Sequence, residues 1–184
     1  DVGEEWIEFY NPGPQQVSLK GWAICSGVDF RFPDIVMDPD SFIVVSADPI
    51  KFSLSYPDAP AVLGPWIGKL SNNGESIELR DSDNKKIDQV NYADEGFWAL
   101  RKPGPDDLGH QGWVWDAMHD GMGMTLELIN WFDENNNGHN WSSSISTGGT
   151  PGFRNSVYDP KLLPLIKSIE HFPVIPKSTE SVLI

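Results

Sequence analysis

Positive charge, cysteine and long apolar runs are all scarce in this chain. Its 184 residues carry 13 Lys and Arg against 27 Asp and Glu, a formal net charge of -14. Sequence-independent binding to nucleic acid depends on Lys and Arg neutralising phosphates, so this balance excludes nucleic acid as a partner. A single cysteine, Cys25, excludes an internal disulfide and a multi-thiolate metal site. It follows Trp22-Ala23-Ile24, where a small buried hydrophobe is the default reading. No apolar run approaches the ~20 residues that a membrane-spanning helix needs, so no membrane insertion is expected. Neither a nucleophile elbow (G-x-S-x-G) nor a phosphate loop (G-x-x-x-x-G-K) occurs, and carboxylates are too plentiful to single out an acid–base pair. No catalytic residue is assigned.

Turn residues and aromatics are abundant instead, with 17 glycines, 15 prolines and eight tryptophans. The tryptophans demand packing surface, which sets the chain apart from a disordered acidic tail. Between the turns the apolar pattern is short and of period two. Glu5 to Tyr10 alternates, with Ile7 and Phe9 on one side and Trp6, Glu8 and Tyr10 on the other. Trp22–Cys25, Phe30–Phe32 and Phe42–Val45 read as strands. Asp48-Pro49 reads as an N-cap and first helical position, which predicts one short helix to about Tyr56. Ser76–Arg80 and Lys86–Tyr92, joined at Asp83-Asn84, read as a hairpin with Ile77 and Leu79 inward. Met124–Ile129 alternates again, whereas 93–123 is rich in Trp, Gly, Asp and Pro and shows no clear period. Strands at roughly ten-residue intervals with one helix predict an all-β sandwich or barrel.

The order of these segments resembles the lamin tail domain family, in the form found in bacterial secreted proteins. Trp6-Ile7-Glu8-Phe9-Tyr10-Asn11-Pro12-Gly13 is similar to the family's opening signature. Leu19, Gly21 and Trp22, the strand Phe42–Val45, and Leu70-Ser71-Asn72-Asn73-Gly74-Glu75 follow in order. Asn140-Trp141 and Gly148-Gly149-Thr150-Pro151-Gly152 close a match over about residues 1–156. The resemblance implies an immunoglobulin-like β-sandwich without enzymatic activity, to which the residues add the one short helix and a long Trp/Gly-rich insert that is longer than in a minimal lamin tail. It further implies an extracellular or cell-surface module of a larger exported bacterial protein, with other proteins or neighbouring domains as partners. Family members carry a strand before the point where Asp1 stands. Residues 1–157 are therefore expected to form the domain with its first strand missing, leaving a sheet edge covered by another chain or by 158–184. Pro160, Pro164, Pro173 and Pro176 mark 158–184 as a linker and the truncated start of a following β domain.

Three groups of residues are candidates for binding. Asp133, Asn135 and Asn137, with Gly138 sixth, have the spacing of an EF-hand calcium loop, and calcium is the candidate cofactor. The twelfth position holds Ser144 where a carboxylate is needed, which favours a plain Asn-rich turn. His110 and His119 with an aspartate suit zinc or manganese chemically but lack the helical spacing of a metal pair. Trp98, Trp113 and Trp115 read as an aromatic surface for carbohydrate or peptide, or as rings tucked onto the end of the sandwich. Tucking is the favoured reading. The alternative function is a calcium-dependent carbohydrate-binding module that assists a hydrolase. Asn140-Trp141-Ser142 matches a glycosylation sequon, a short pattern common by chance.

Overall fold

Period-two alternation becomes paired strands throughout the computed structural model, which describes residues 5–161. In chain order the strands are β1 (Trp6–Asn11), β2 (Val17–Ser18), β3 (Ala23–Cys25), β4 (Val28–Arg31), β5 (Val36–Met37) and β6 (Ser41–Ser46). After the helix α1 (Pro49–Ser55) come β7 (Val62–Leu63), β8 (Ile67–Gly68), β9 (Gly74–Arg80) and β10 (Lys86–Ala93). Then follow β11 (Leu100–Asp107), β12 (His110–Asp116), β13 (Leu126–Leu128) and β14 (Trp141–Ser143). The helix starts where Asp48 predicts: its carboxylate accepts the amides of Ile50 and Lys51, each at 3.1 Å, and Pro49 needs no partner. At the β9–β10 turn Asp81 accepts the amides of Asp83 and Lys85, and Asn84 takes a left-handed φ of 63°.

A three-stranded sheet of order β1-β6-β7 faces a five-stranded sheet of order β10-β9-β3-β4-β8. Between them lies the core: Leu19, Ile24, Val28, Phe32, Met37, Val45 and Trp66 are buried, with Ile7, Phe9, Ile77 and Leu79 packed against them. Ile7 and Phe9 are thus on the core face, as their alternation predicts. Cys25 is only half-buried and is a free thiol.

A third layer covers the other face of the three-stranded sheet. Trp6 meets Phe52 and Tyr56 of the helix edge-on at 6.1 and 6.3 Å. Tyr10 stacks on Phe42 and contacts Trp131, both at 4.7 Å. Trp131 in turn stacks on Tyr158 at 4.0 Å. The Asp159 amide bonds the Ile129 carbonyl at 3.0 Å. Packing therefore continues through Tyr158 and Asp159, past the boundary read at residue 157. The remainder of the expected linker and following domain, residues 162–184, lies outside the described residues.

The stretch 93–123, which shows no period in sequence, contains the hairpin β11–β12. Its pattern is hidden because Pro103, Gly104 and Pro105 interrupt the strand and the pairing register shifts between Pro103 and Asp106. At its tip Leu108 and Gly109 both have positive φ, the geometry of a type I′ turn.

Candidate functional sites

The hairpin carries the aromatic candidates. Trp113 and Trp115, two apart on β12, share one face with Pro103 and Arg101 opposite them. They are 60% and 45% exposed, so these two rings are not tucked onto the sandwich. A tuck needs an apolar wall, and the hairpin's neighbours across the pair are a proline and a guanidinium. Arg101 lies over the Trp113 ring at 4.0 Å, a cation–π contact that holds the indole in place. Leu100, Leu108 and Val114 are exposed on the same hairpin. An ion pair from Lys102 to Asp116 crosses its other face. Trp98 is half-buried and does not join this platform; it packs on Trp141 at 5.9 Å and lines a cleft of about 260 Å³ with Leu100 and Met118.

The Asn-rich segment is folded around contacts within the chain. The Asn135 amide donates to both oxygens of Asp88, at 2.9 and 2.8 Å. Asn136 accepts the Asn91 amide at 2.8 Å, on the outer edge of β10. Asn137 caps the 3₁₀ turn Gly138–Asn140 by accepting the His139 amide at 3.1 Å. Gly138 is needed for a different reason from the one a calcium loop supplies. A Cβ there would stand 2.6 Å from the Phe97 backbone, so its missing side chain lets two 3₁₀ turns meet. Asn140 is buried and bonded through both ends of its amide, to the Asn130 amide and carbonyl and to the Glu134 carbonyl. The sequon asparagine is therefore a structural pin. The segment covers an otherwise free strand edge.

The two histidines stand apart in role. His110 is exposed near the hairpin tip. His119 is half-buried, with its ring nitrogens 3.4 Å from the Ser143 hydroxyl and 3.2 Å from the Ala93 carbonyl. Among the described residues no three His, Cys, Asp or Glu side chains gather as a metal-holding group.

A pair of carboxylates was not picked out by sequence reasoning. Glu127 is 3% exposed, and its oxygens accept from Thr125, Thr150, Ser156 and the Val157 amide. Glu8 accepts the Gly152 amide. Burial pushes the Glu8 carboxyl up to about 8; the Gly152 amide opposes that shift and the Glu127 charge adds to it. Period two in Thr125–Ile129 admits either face inward, and the default places the leucines there. No local signal reverses it.

Residues 1–94, about half of the chain, match the family described as Lamin Tail Domain. No curated protein matches the chain.

Proposed function

The chain belongs to the lamin tail domain family, a family of non-enzymatic, immunoglobulin-like β-sandwich domains, and on that premise we propose that it is an interaction and spacer module. In this reading it is one part of a larger exported bacterial protein and works at the cell surface or outside the cell. The supporting observation is the hairpin β11–β12, whose Trp113 and Trp115 face solvent on a frame of paired strands. A rigid pair of indoles offers large contact area at small entropic cost, as interface anchors do. The acidic surface keeps such a module apart from polyanions and favours partners that are neutral or basic. The test is binding of the purified neighbouring domains of the parent protein to wild type and to a Trp113→Ala/Trp115→Ala variant. Loss of binding in a folded variant supports the reading, and unchanged binding sinks it.

The same pair supports a second reading, a carbohydrate-binding module, because sugar rings stack on exposed indoles. A glycan array run with and without calcium separates the two. Glycan binding lost in a folded Trp115→Ala variant favours carbohydrate, and protein binding alone favours the module.

A further inference from the structure

The hairpin β11–β12 is a sheet of its own, and among the described residues no further strand pairs with either of its edges. A two-residue turn at Leu108-Gly109 makes Asp107 and His110 a bonded pair. Bonded and non-bonded positions alternate from there, so Val114 and Asp116 bond inward to β11. Pro103 keeps the same phase: it lies opposite Trp113 and, having no N–H, cannot make both bonds of a bonded pair. The backbone groups of Gln111, Trp113 and Trp115 therefore point away from β11. On β11 the matching outward positions include Arg101 and Pro103, so a proline interrupts that edge.

The two edges are guarded differently. Open edges are blunted by proline, charge or a bulge, and β11 has Pro103, Pro105, Arg101, Lys102 and a shift of register. Strand β12 has none of these between its ends: Gln111-Gly112-Trp113-Val114-Trp115 is uncharged, and its Trp113, Val114 and Trp115 are exposed. Gly112 adds to the contrast. Among the described glycines it alone has neither a positive φ nor an atom near the place of a Cβ, so nothing within the chain calls for glycine there. A bare position does let a second backbone approach.

Laid antiparallel on itself about Trp113, β12 complements itself. Trp113 meets the second copy's Trp113, Gln111 meets its Trp115, and Gly112 meets its Val114. His110 falls opposite the second copy's Asp116, so the one carboxylate of the strand is kept far from its own copy. We propose that β12 pairs in this register with β12 of a second copy, giving a two-fold sheet of order β11-β12-β12-β11. Both outer edges are then the proline-interrupted β11, which stops growth at the dimer. The indoles of both copies lie on one face and stay open to other partners. One strand pair is a small interface, so the dimer dissociates on dilution. The proposal rests on the reading of the hairpin as the interaction element and adds a second copy of the chain as its partner.

The test is sedimentation velocity of the whole chain over a range of concentrations, with site-resolved amide exchange at the lowest and the highest. The expected result is a monomer–dimer equilibrium with no larger species. Exchange at the amides of Gln111, Trp113 and Trp115 should slow about tenfold or more in the dimer, since only there are they bonded. Gln111→Pro removes an outward donor and leaves the bonds to β11 in place, so dimerisation should weaken about tenfold or more in a chain that melts as wild type does. Val114→Lys, an independent variant, sets two like charges near the two-fold axis and should weaken it several-fold. A chain that stays monomeric to about 1 mM overturns the proposal. So does a dimer whose three amides exchange as fast as the monomer's, because another surface then holds it. Protection of those amides already in the monomer overturns it too, because the chain then covers its own edge, and species larger than the dimer refute the closed sheet. Neighbouring domains bound by a wild-type monomer would leave the module reading standing while this one falls; dimerisation without such binding would do the reverse.

Discussion

Glu8 on β1 and Glu127 on β13 hold the same stretch of chain, with Glu8 taking the Gly152 amide and Glu127 taking Thr150, Ser156 and Val157. Two carboxylates from distant strands thus fasten residues 150–157 across the outer face of the three-stranded sheet. Both carboxyls are largely shielded from water.

Burial of its carboxyl, with a smaller contribution from the Glu127 charge, makes stability depend on pH through Glu8. Its carboxyl has an ordinary value near 4.5 and a folded value of about 8. Below 4.5 it is protonated in both states and costs nothing. As pH rises toward 8 the unfolded chain ionises first, so this group's contribution to stability falls. Glu8→Gln stays neutral and keeps an oxygen for the Gly152 amide. Melting curves of the variant should be flatter between pH 5 and 8, and the variant more stable at pH 8 by on the order of 2 kcal/mol. Parallel curves for the two proteins would count against the buried, protonated Glu8.

Removing Glu127 should be severe for the opposite reason. Glu127→Ala leaves buried hydroxyls and amides of the 150–157 segment without their acceptor, at a cost of about 3 kcal/mol. Ser156→Ala removes one donor to the carboxylate and should cost about 1 kcal/mol. Chemical denaturation measures both, and trypsin cleavage after Arg154 should quicken in Glu127→Ala. Equal losses in the two variants would show that the carboxylate is not the hub.

Cover from the third layer should be needed for folding. A chain ending at residue 94 retains the family match but lacks Trp131 and Glu127. Its Tyr10 would lose Trp131 and its Glu8 the Gly152 amide. Such a chain should give weak near-ultraviolet dichroism and dye binding typical of loose packing, whereas 1–161 should melt cooperatively. Cooperative melting of 1–94 would contradict the layered account.

Calcium should have little effect. Asn135 is committed to Asp88 and Asn137 to the His139 amide, so binding would have to break an existing cap and an edge cover. Millimolar calcium should move the melting temperature by less than about 1 °C, which corresponds to negligible occupancy of the folded state. Asn135→Ala should instead speed amide exchange on β10. A rise of several degrees with calcium, lost in Asp133→Asn, would establish an ion site.

Much of the frame is legible from local pattern because its strands are half-buried. Alternation at Glu5–Tyr10 shows only when one face meets the core, and here both faces are covered by different layers. Asp48-Pro49 announces the helix through its own cap chemistry. The β11–β12 hairpin is illegible for the converse reason: exposed on both faces, it has no burial period to display, and prolines break what pairing signal remains. Glu127 is a third case. Apart from Thr125, the donors that make an inward glutamate tolerable come from 23 to 30 residues away, and such partners leave no mark near Leu126 or Leu128. The Asn-rich segment reads as a calcium loop or as a turn because its oxygens are regularly spaced. Its actual partners, Asp88 and Asn91, sit more than 40 residues earlier.

The claim that the exposed hairpin is the recognition surface of a non-catalytic frame is tested most directly by cross-linking mass spectrometry on the parent protein in place. Lys102, on the hairpin and about half exposed, supplies the reactive amine. The account predicts cross-links from Lys102 to a neighbouring domain or another protein, lost in Trp113→Ala/Trp115→Ala while Lys20 and Lys51 react as before. Lys102 cross-links that persist unchanged in that variant would contradict it.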